Sequence, residues 1–253
     1  MNDILIVIPA RYGSTRLPVK MLKNLGGRPV IAHTYEACVA SGVGTVLVAT
    51  DHEDIVSVVK QFGGQAVMTP PECPSGTDRV YLAAQGRKES IIINVQGDEP
   101  LIAAETIRKT AQVLKDFKDA DISTAAAPFP ADRDFNDPNA VKAVLADPLV
   151  SGDGKRALYF TRSAAPYHHE LSPIKNDVPY FLHCGIYGYR RTSLEKFVKL
   201  PPSALEKLER LEQLRALEAG MVIRCALVPS VPPAIDTDED LQNAARYLSQ
   251  KTL

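Results

Sequence analysis

Residues 4–20, ILIVIPARYGSTRLPVK, begin with an unbroken apolar, β-branched run that stops at a proline and passes into a loop of small residues, hydroxyls and cations. The run Ile4 to Ile8 fits a strand buried on both faces, the habit of strands in a mostly parallel sheet. The loop Pro9 to Lys20 is then a strand-to-helix connection. Such a connection offers backbone N–H groups to phosphate oxygens, and Arg11, Arg16 and Lys20 add charge. The spacing GxxxxGK[ST] cannot be laid on it, so it is not a Walker A loop. Taken alone, the pattern leaves an ordinary solvated basic loop open.

Working outward, Val30 to Cys38 reads as a helix with Pro29 at its first turn. Thr45 to Thr50 is a second buried strand, and Asp51 is placed to cap a helix carrying Ile55, Val58, Val59 and Phe62. Gly63-Gly64 stops that helix. The rhythm continues with a strand at Ala66 to Met68, a helix at Thr77 to Gln85, a strand at Ile91 to Val95 and a helix at Ile107 to Phe117. Strands alternating with helices at this spacing mean βαβ crossovers and an α/β fold with a mostly parallel central sheet flanked by helices. Ligands of such sheets bind beyond the carboxyl ends of the strands, so PAR, TD and QGDEP are expected to converge on one crevice.

After residue 120 the rhythm breaks. Ile122 to Ala126, Val141 to Leu145, Ala157 to Thr161 and Leu182 to Tyr189 are strand-like, which predicts a small antiparallel extension. The expected organisation is a single domain over 1–253, in which about 120–200 contributes a smaller lobe. Leu205, Leu208, Leu211, Leu214 and Leu217 suggest one helix with an apolar stripe, and Thr237 to Tyr247 a closing helix.

The chain has 253 residues and is 45% hydrophobic, enough for a full core and against disorder. Lys and Arg number 29 against 30 Asp and Glu, so charge balance points to neither nucleic acid nor a membrane surface as partner. The four cysteines, Cys38, Cys73, Cys184 and Cys225, form no CxxC pair, which speaks against a zinc knuckle and for thiols in a reducing compartment. The opening apolar run is too short for a signal peptide or a span of ~20 residues, and cytoplasm is the expectation.

Asp98, in Gln96-Gly97-Asp98-Glu99-Pro100 after the most apolar strand, is the first candidate ligand for magnesium, which takes one or two carboxylates and leaves other positions to phosphate and water. Asp236, in Asp236-Thr237-Asp238-Glu239-Asp240, is the second; alone, that run reads equally as a helix N-cap with acidic residues favoured by the dipole. In Ser75-Gly76-Thr77-Asp78-Arg79 the choice stays open between a helix cap and a nucleotide contact, with Ser75 and Thr77 facing a base edge, Gly76 permitting close approach and Arg79 facing phosphate. Structural roles suffice for His33 and His52. His168 and His169 lack a metal-ligand spacing, and His183 is a lone strand histidine. No Ser-His-Asp or Cys-His arrangement points to covalent catalysis.

Together these segments resemble the 3-deoxy-manno-octulosonate cytidylyltransferase family (CMP-Kdo synthetases). The motifs PARYGSTRLPVK (9–20), ATD (49–51), SGTDR (75–79), NVQGDEP (94–100), DPNAVK (137–142), YFTR (159–162), HCGIYGYR (183–190), LEQLR (211–215) and DTDEDL (236–241) cover nearly the whole chain. The resemblance implies a glycosyltransferase-A-like nucleotidyltransferase fold, a homodimer and no membrane or nucleic-acid partner. It implies Mg²⁺-dependent transfer of CMP from CTP to the anomeric hydroxyl of Kdo, with pyrophosphate leaving, for lipopolysaccharide biosynthesis. Carried over by position, Arg11 and Lys20 hold the triphosphate; Pro9, Ala10, Ser14, Ser75, Gly76, Thr77 and Arg79 lie along the nucleotide; Asp98 and Asp236 hold magnesium. Arg16, Gln96, Arg162, His183, Tyr187, Glu212 and Gln213 surround the acidic sugar, where an arginine fork suits a carboxylate.

Several positions depart from the family: Val19 for the glycine of PGK, Leu82 for a glutamate, Thr161 for serine and Ala234-Ile235 for GV. A β-branched residue resists positive φ, so Val19 predicts a shifted loop. Three rivals stand beside this reading. They are a cytidylyltransferase for another acidic sugar such as sialic acid or an amino variant of Kdo, a glycosyltransferase, which commonly shows Asp-x-Asp where this chain has Asp98-Glu99-Pro100, and a non-catalytic nucleotide sensor.

Overall fold

In a computed structural model of the chain, residues 3–13, 17–146, 153–167 and 180–251 are described, residues 250 and 251 by backbone only. They fall into two compact units, 1–108 with 232–253 and 109–231. The second is wider than the 120–200 stretch.

The first unit is built on four parallel strands in the order β5-β4-β1-β6: β1 (Ile4–Ala10), β4 (Thr45–Thr50), β5 (Ala66–Met68) and β6 (Ile91–Asn94). All seven β1 residues are buried, with Leu5 set opposite Ile92 on one side and Ile8 opposite Val48 on the other. Burial of its five aliphatic side chains contributes on the order of 10 kcal/mol before chain entropy is counted. A two-residue ladder, β2 (Asn24–Leu25) with β3 (Arg28–Pro29), precedes the crossover helix α1 (Val30–Ser41). Helices α2 (Glu53–Gln61) and α3 (Gly76–Ala84) make the other crossovers; α2 buries Ile55, Val56 and Val59. Gly44 is required between α1 and β4, because a Cβ there would lie 2.2 Å from the Ile4 carbonyl oxygen.

The cap of α2 differs from expectation. His52 holds that position, its ring nitrogen accepting from the Asp54 N–H, while Asp51 turns back toward the loop after β1. The same histidine stacks on Tyr12, with ring centroids 3.7 Å apart, and so joins the start of α2 to the loop after β1.

Helix α4 (Ala104–Asp116) leads into the second unit, whose strands are β7 (Ile122–Pro128), β8 (Lys142–Leu145), β9 (Lys155–Thr161), β10 (Phe181–Arg190) and β11 (Ile223–Leu227). They run in the order β10-β7-β11-β9-β8, antiparallel except for β7 with β11. The far strand β8 also pairs with β10 at Phe181 and Leu182, which removes part of an open edge. Helix α5 (Arg191–Phe197) follows β10 directly.

The single helix expected over Leu205 to Leu217 is two: α6 (Ala204–Glu209) and α7 (Gln213–Glu218), broken at Arg210 in the left-handed conformation with φ 54°. Leucines every three residues do not keep to one face of a 3.6-residue helix. Leu208 accordingly faces solvent at 80% exposure, whereas Leu211 and Leu214 are buried beyond the break.

The chain then returns to the first unit for α8 (Asp238–Lys251). Thr237 and Asp240 cap it reciprocally: the Thr237 hydroxyl accepts from the Asp240 N–H, and the Asp240 carboxylate accepts from the N–H groups of Asp236 and Thr237. A cluster of Leu17, Leu25, Val30, Ile235 and Ala244, with Leu241 and Leu248 against it, seats this helix on the β2–β3 ladder.

Candidate active site

At the carboxyl ends of β1 and β6 the first unit encloses a cavity of about 320 Å³. Its walls come from the loop after β1 (Pro9, Arg11, Lys20, Met21), the start of α3 (Cys73, Pro74, Ser75, Gly76, Arg79), the QGDEP turn (Gln96, Asp98) and Asp236. Polar atoms dominate the surface facing it, as suits a charged ligand.

Lys20 is the centre of this arrangement. Its ammonium donates to Asp98 Oδ2 at 2.7 Å, to Asp236 Oδ1 at 3.1 Å and to the Ile235 carbonyl at 2.7 Å. The two acidic segments are locked together independently of it, since the Ile235 N–H donates to the Asp98 carbonyl at 2.9 Å. The 236–240 run does two things: Thr237 and Asp240 cap α8, and the residue just before the cap presents its carboxylate beside Asp98. Asp240 is held below the usual carboxylate range: its burial would raise it, but the Thr237 hydroxyl and the two N–H groups it accepts from outweigh that. Next to Asp98, Glu99 is pushed up to about 8 by burial and by the neighbouring carboxylate, so it carries little of the negative charge. Among the described residues no group of three or more acidic, histidine or cysteine side chains could hold a metal. Two carboxylates reaching one cation position do suit magnesium, which completes its shell with phosphate oxygens and water.

Val19 itself adopts the left-handed conformation, with φ 54° and ψ 33°, and caps the short 3₁₀ turn Lys20–Leu22 that aims the lysine. A branched residue there costs about 1–2 kcal/mol. Val19→Gly is therefore expected to raise stability by up to about 1 kcal/mol, glycine's greater unfolded freedom taking back part of the gain. Urea denaturation of both proteins checks it; an unchanged or lower midpoint would mean that the valine side chain's packing outweighs the strain.

Arg79 lines the cavity, but its guanidinium is committed to Asp51 Oδ2 at 3.0 Å and to the Thr69 hydroxyl. Asp51 Oδ1 accepts from the Tyr12 N–H at 2.8 Å. Arg79 thus pins the loop after β1 through Asp51. The TD segment that was expected to reach the crevice stops behind its wall as this clamp, since neither Thr50 nor Asp51 is among the lining residues. Ser75 caps α3, accepting from the Asp78 N–H and donating to its carboxylate, so its hydroxyl is occupied and the neighbouring backbone is left to meet a ligand. A Cβ on Gly76 would meet nothing closer than 3.7 Å, so the absent side chain leaves room on the cavity wall rather than avoiding a clash. Gly97 is different: a Cβ would lie 3.0 Å from the Pro9 carbonyl and 2.9 Å from Met21 sulfur, which ties the QGDEP turn tightly to β1. Ala10 and Thr77 are buried beneath the cavity. Ser14 and Arg16 lie outside the described residues, as do His168 and His169. Gln96 Nε2 donates to Asn94 Oδ1 at 3.2 Å, and the Asn94 Nδ2 group is buried with no hydrogen-bond partner among the described residues.

In the second unit Arg162 does not present a free fork. Its Nε donates to the Glu209 carbonyl at 2.7 Å and its Nη1 to the Pro138 carbonyl at 2.8 Å. Glu209 answers by accepting from the Thr161 hydroxyl and the Arg162 N–H. This clasp fastens the end of β9 to the α6–α7 break and to the DPN turn. Lys142, fully buried, braces the same region by donating to the carbonyls of Asp137 and Arg162. His183 shares a hydrogen bond of 2.9 Å with the Thr124 hydroxyl, and its ring lies against Phe160 and Tyr187. Burial pushes its pKa down to about 3, so it is neutral at physiological pH. Glu212 and Gln213 begin α7, and the buried Gln213 Nε2 has no hydrogen-bond partner among the described residues.

Met21, Cys73 and Pro74 in the wall, Asp51, Thr69 and Asp240 behind it, and Glu209 in the second unit were not marked as site residues by the sequence. Only Asp51 and Asp240, in motifs already singled out, carried a signal.

Residues 5–223 match the family profile described as cytidylyltransferase. The chain is 51% identical over 248 residues to the 3-deoxy-manno-octulosonate cytidylyltransferase of Elusimicrobium minutum, covering 98% of this chain and 99% of that one. It is 46% identical to the enzyme of that name from Azorhizobium caulinodans, over 98% and 96% of the two chains. Among solved structures, a CMP:2-keto-3-deoxy-manno-octonic acid synthetase complexed with CTP superposes with a TM-score of 0.89 at 37% identity, covering 98% of this chain and 99% of that one. A 4-diphosphocytidyl-2C-methyl-D-erythritol synthase from Anaerococcus prevotii, 14% identical with a TM-score of 0.63 over 97% and 98% of the chains, shares the α/β nucleotidyltransferase fold alone. On the profile match and on relatives this similar from end to end, the chain belongs to the 3-deoxy-manno-octulosonate cytidylyltransferase family.

Proposed function

We propose that this protein is a magnesium-dependent cytidylyltransferase that couples CTP to 3-deoxy-D-manno-octulosonate, giving CMP-Kdo and pyrophosphate for lipopolysaccharide biosynthesis. The observation that carries the reading is the convergence of Lys20, Asp98 and Asp236 at one point of a polar cavity, in a chain 51% identical to a relative of that name.

The anomeric oxygen of the sugar attacks the α-phosphorus of CTP in line, a P–O bond forms, and the bond to pyrophosphate breaks. Such transfers depend on positioning and charge neutralisation more than on covalent help. Arg11 and Lys20 supply positive charge to the triphosphate. Asp98 and Asp236 would hold magnesium, which when bound neutralises phosphate charge and lowers the pKa of a hydroxyl that reaches it. The open wall at Gly76 lets the nucleoside lie close to the start of α3. In the first unit Gln96 and Arg16 are polar groups of the kind a polyhydroxy acid needs. In the second unit Gln213 offers a buried donor, Tyr187 a hydroxyl and Glu212 a carboxylate suited to such a sugar. His183, neutral, shapes that surface through Thr124. Arg162 acts chiefly by holding the β9 end.

Among the described residues no helix is long and apolar enough to cross a membrane, and we place the reaction in the cytoplasm. We also propose a homodimer; Leu158, Tyr167 and Leu208 give the second unit large apolar side chains facing solvent. The test is pyrophosphate release by the full chain with each of the four nucleoside triphosphates and Mg²⁺, against Kdo, its 8-amino variant and sialic acid. Release is expected with CTP and Kdo. Release only with another keto-sugar acid would move the substrate, and CTP binding without any turnover would favour a nucleotide sensor.

A further inference from the structure

The triple engagement of Lys20 sets a condition on how the site fills. We infer that Lys20 is the resident counter-cation of Asp98 and Asp236, exchanged when nucleotide arrives, so that the metal enters with the triphosphate and binds poorly ahead of it. The inference rests on the proposed metal-holding role of the two carboxylates.

An ammonium has three N–H donors, and all three are spent: one on Asp98, one on Asp236 and one on the Ile235 carbonyl. The lysine side chain is only 9% exposed, so water does not readily take over these bonds. The carboxylates are held close by the Ile235–Asp98 backbone bond whether or not the lysine is there, and two such groups in a partly dry pocket repel unless a cation sits between them. Lys20 is the cation that the structure places there.

A divalent ion cannot share the position with an ammonium a few ångströms away, because like charges in a poorly screened pocket repel strongly. It must therefore displace the ammonium from both carboxylates. A free metal ion offers the displaced lysine nothing. A metal ion carried on a triphosphate brings phosphate oxygens along the same wall, where Arg11 also stands, and the ammonium passes from carboxylate to phosphate with its charge still paired. Metal and nucleotide affinities are then coupled through one side chain, and by linkage each raises the other's. The same exchange keeps Lys20 off the triphosphate until the carboxylates have another partner.

Mn²⁺ binding to the full-length, nucleotide-free protein at pH 8, followed by calorimetry or by the electron paramagnetic resonance of free Mn²⁺, tests this without reference to turnover. Lys20→Met, which keeps length and removes the charge, is expected to bind Mn²⁺ at least tenfold more tightly than the wild type. That gain should vanish in Lys20→Met/Asp98→Asn. Lys20→Gln, also uncharged, gives the same comparison if methionine is not accommodated. Equal Mn²⁺ affinity in wild type and the lysine variants, abolished by Asp98→Asn, would overturn the exchange and leave the metal site standing. Mn²⁺ binding that ignores both Asp98→Asn and Asp236→Asn, with CTP present as well as absent, would remove the metal reading and the exchange with it.

Discussion

Asp98→Asn is expected to lower turnover by about a thousandfold or more while leaving CTP binding weakened but measurable. Asparagine keeps the shape of the carboxylate and its hydrogen bond from Lys20, so the backbone bond between Ile235 and Asp98 and the cavity wall survive. On the proposed reading, what is lost is one of two negative charges that would fix a cation where charge moves during transfer, and single preorganised electrostatic contacts of this kind are worth roughly 10²–10³ in rate. Losing one of two carboxylate ligands to the proposed metal would add to that. Arg11, Lys20 and the backbone at the start of α3 remain in the cavity wall to meet the nucleotide. Steady-state pyrophosphate release together with CTP titration separates the two effects. A variant that loses CTP binding in proportion to turnover would show that Asp98 serves the ground state, not the transfer.

The largest expected loss of stability lies one layer back. Asp51→Ala should destabilise the protein by about 3–5 kcal/mol, because it strands the guanidinium of Arg79 with its charge unpaired. Arg79 is 5% and Asp51 12% exposed at their side chains, and the same carboxylate takes the Tyr12 N–H. The double variant Asp51→Ala/Arg79→Met should recover part of the loss, since it removes the buried charge that the single variant orphans. Urea denaturation of the three proteins decides it. If the double variant is no more stable than Asp51→Ala, the loss belongs to the tether on Tyr12 and not to the stranded arginine.

The first unit was legible because each of its signals is local. A continuous β-branched run ended by a turn residue identifies β1, β4 and β6, and the crossover rule then places their loops at one edge. Asp98 and Asp236 are recognisable as acidic residues next to strand or helix ends, but the lysine between them is not, since the bond from Lys20 to Asp236 spans 216 positions. Arg79 illustrates the same limit: a motif shows a cation near phosphate, and only packing shows that its donors are already taken by Asp51 and Thr69. In the second unit the leucine spacing of three mimicked one long helix. The break at Arg210 is imposed by Glu209, whose carboxylate closes off the end of β9, a tertiary demand with no trace in the local pattern. Val19 was flagged for the right conformational reason, and the residue takes up the strained left-handed conformation.

The position of α8 has a consequence for how the protein is made. Lys20 leaves the ribosome early, whereas the carboxylate of Asp236 follows 216 residues later, an interval of about 10–45 s at ordinary rates of synthesis. Throughout that time Leu17, Leu25 and Val30 lack the cover that Ile235 and Ala244 later provide, and the pocket lacks one wall. The growing chain is thus sticky at the place that will become its active site, and the arrival of its last helix both buries that surface and completes the acidic pair.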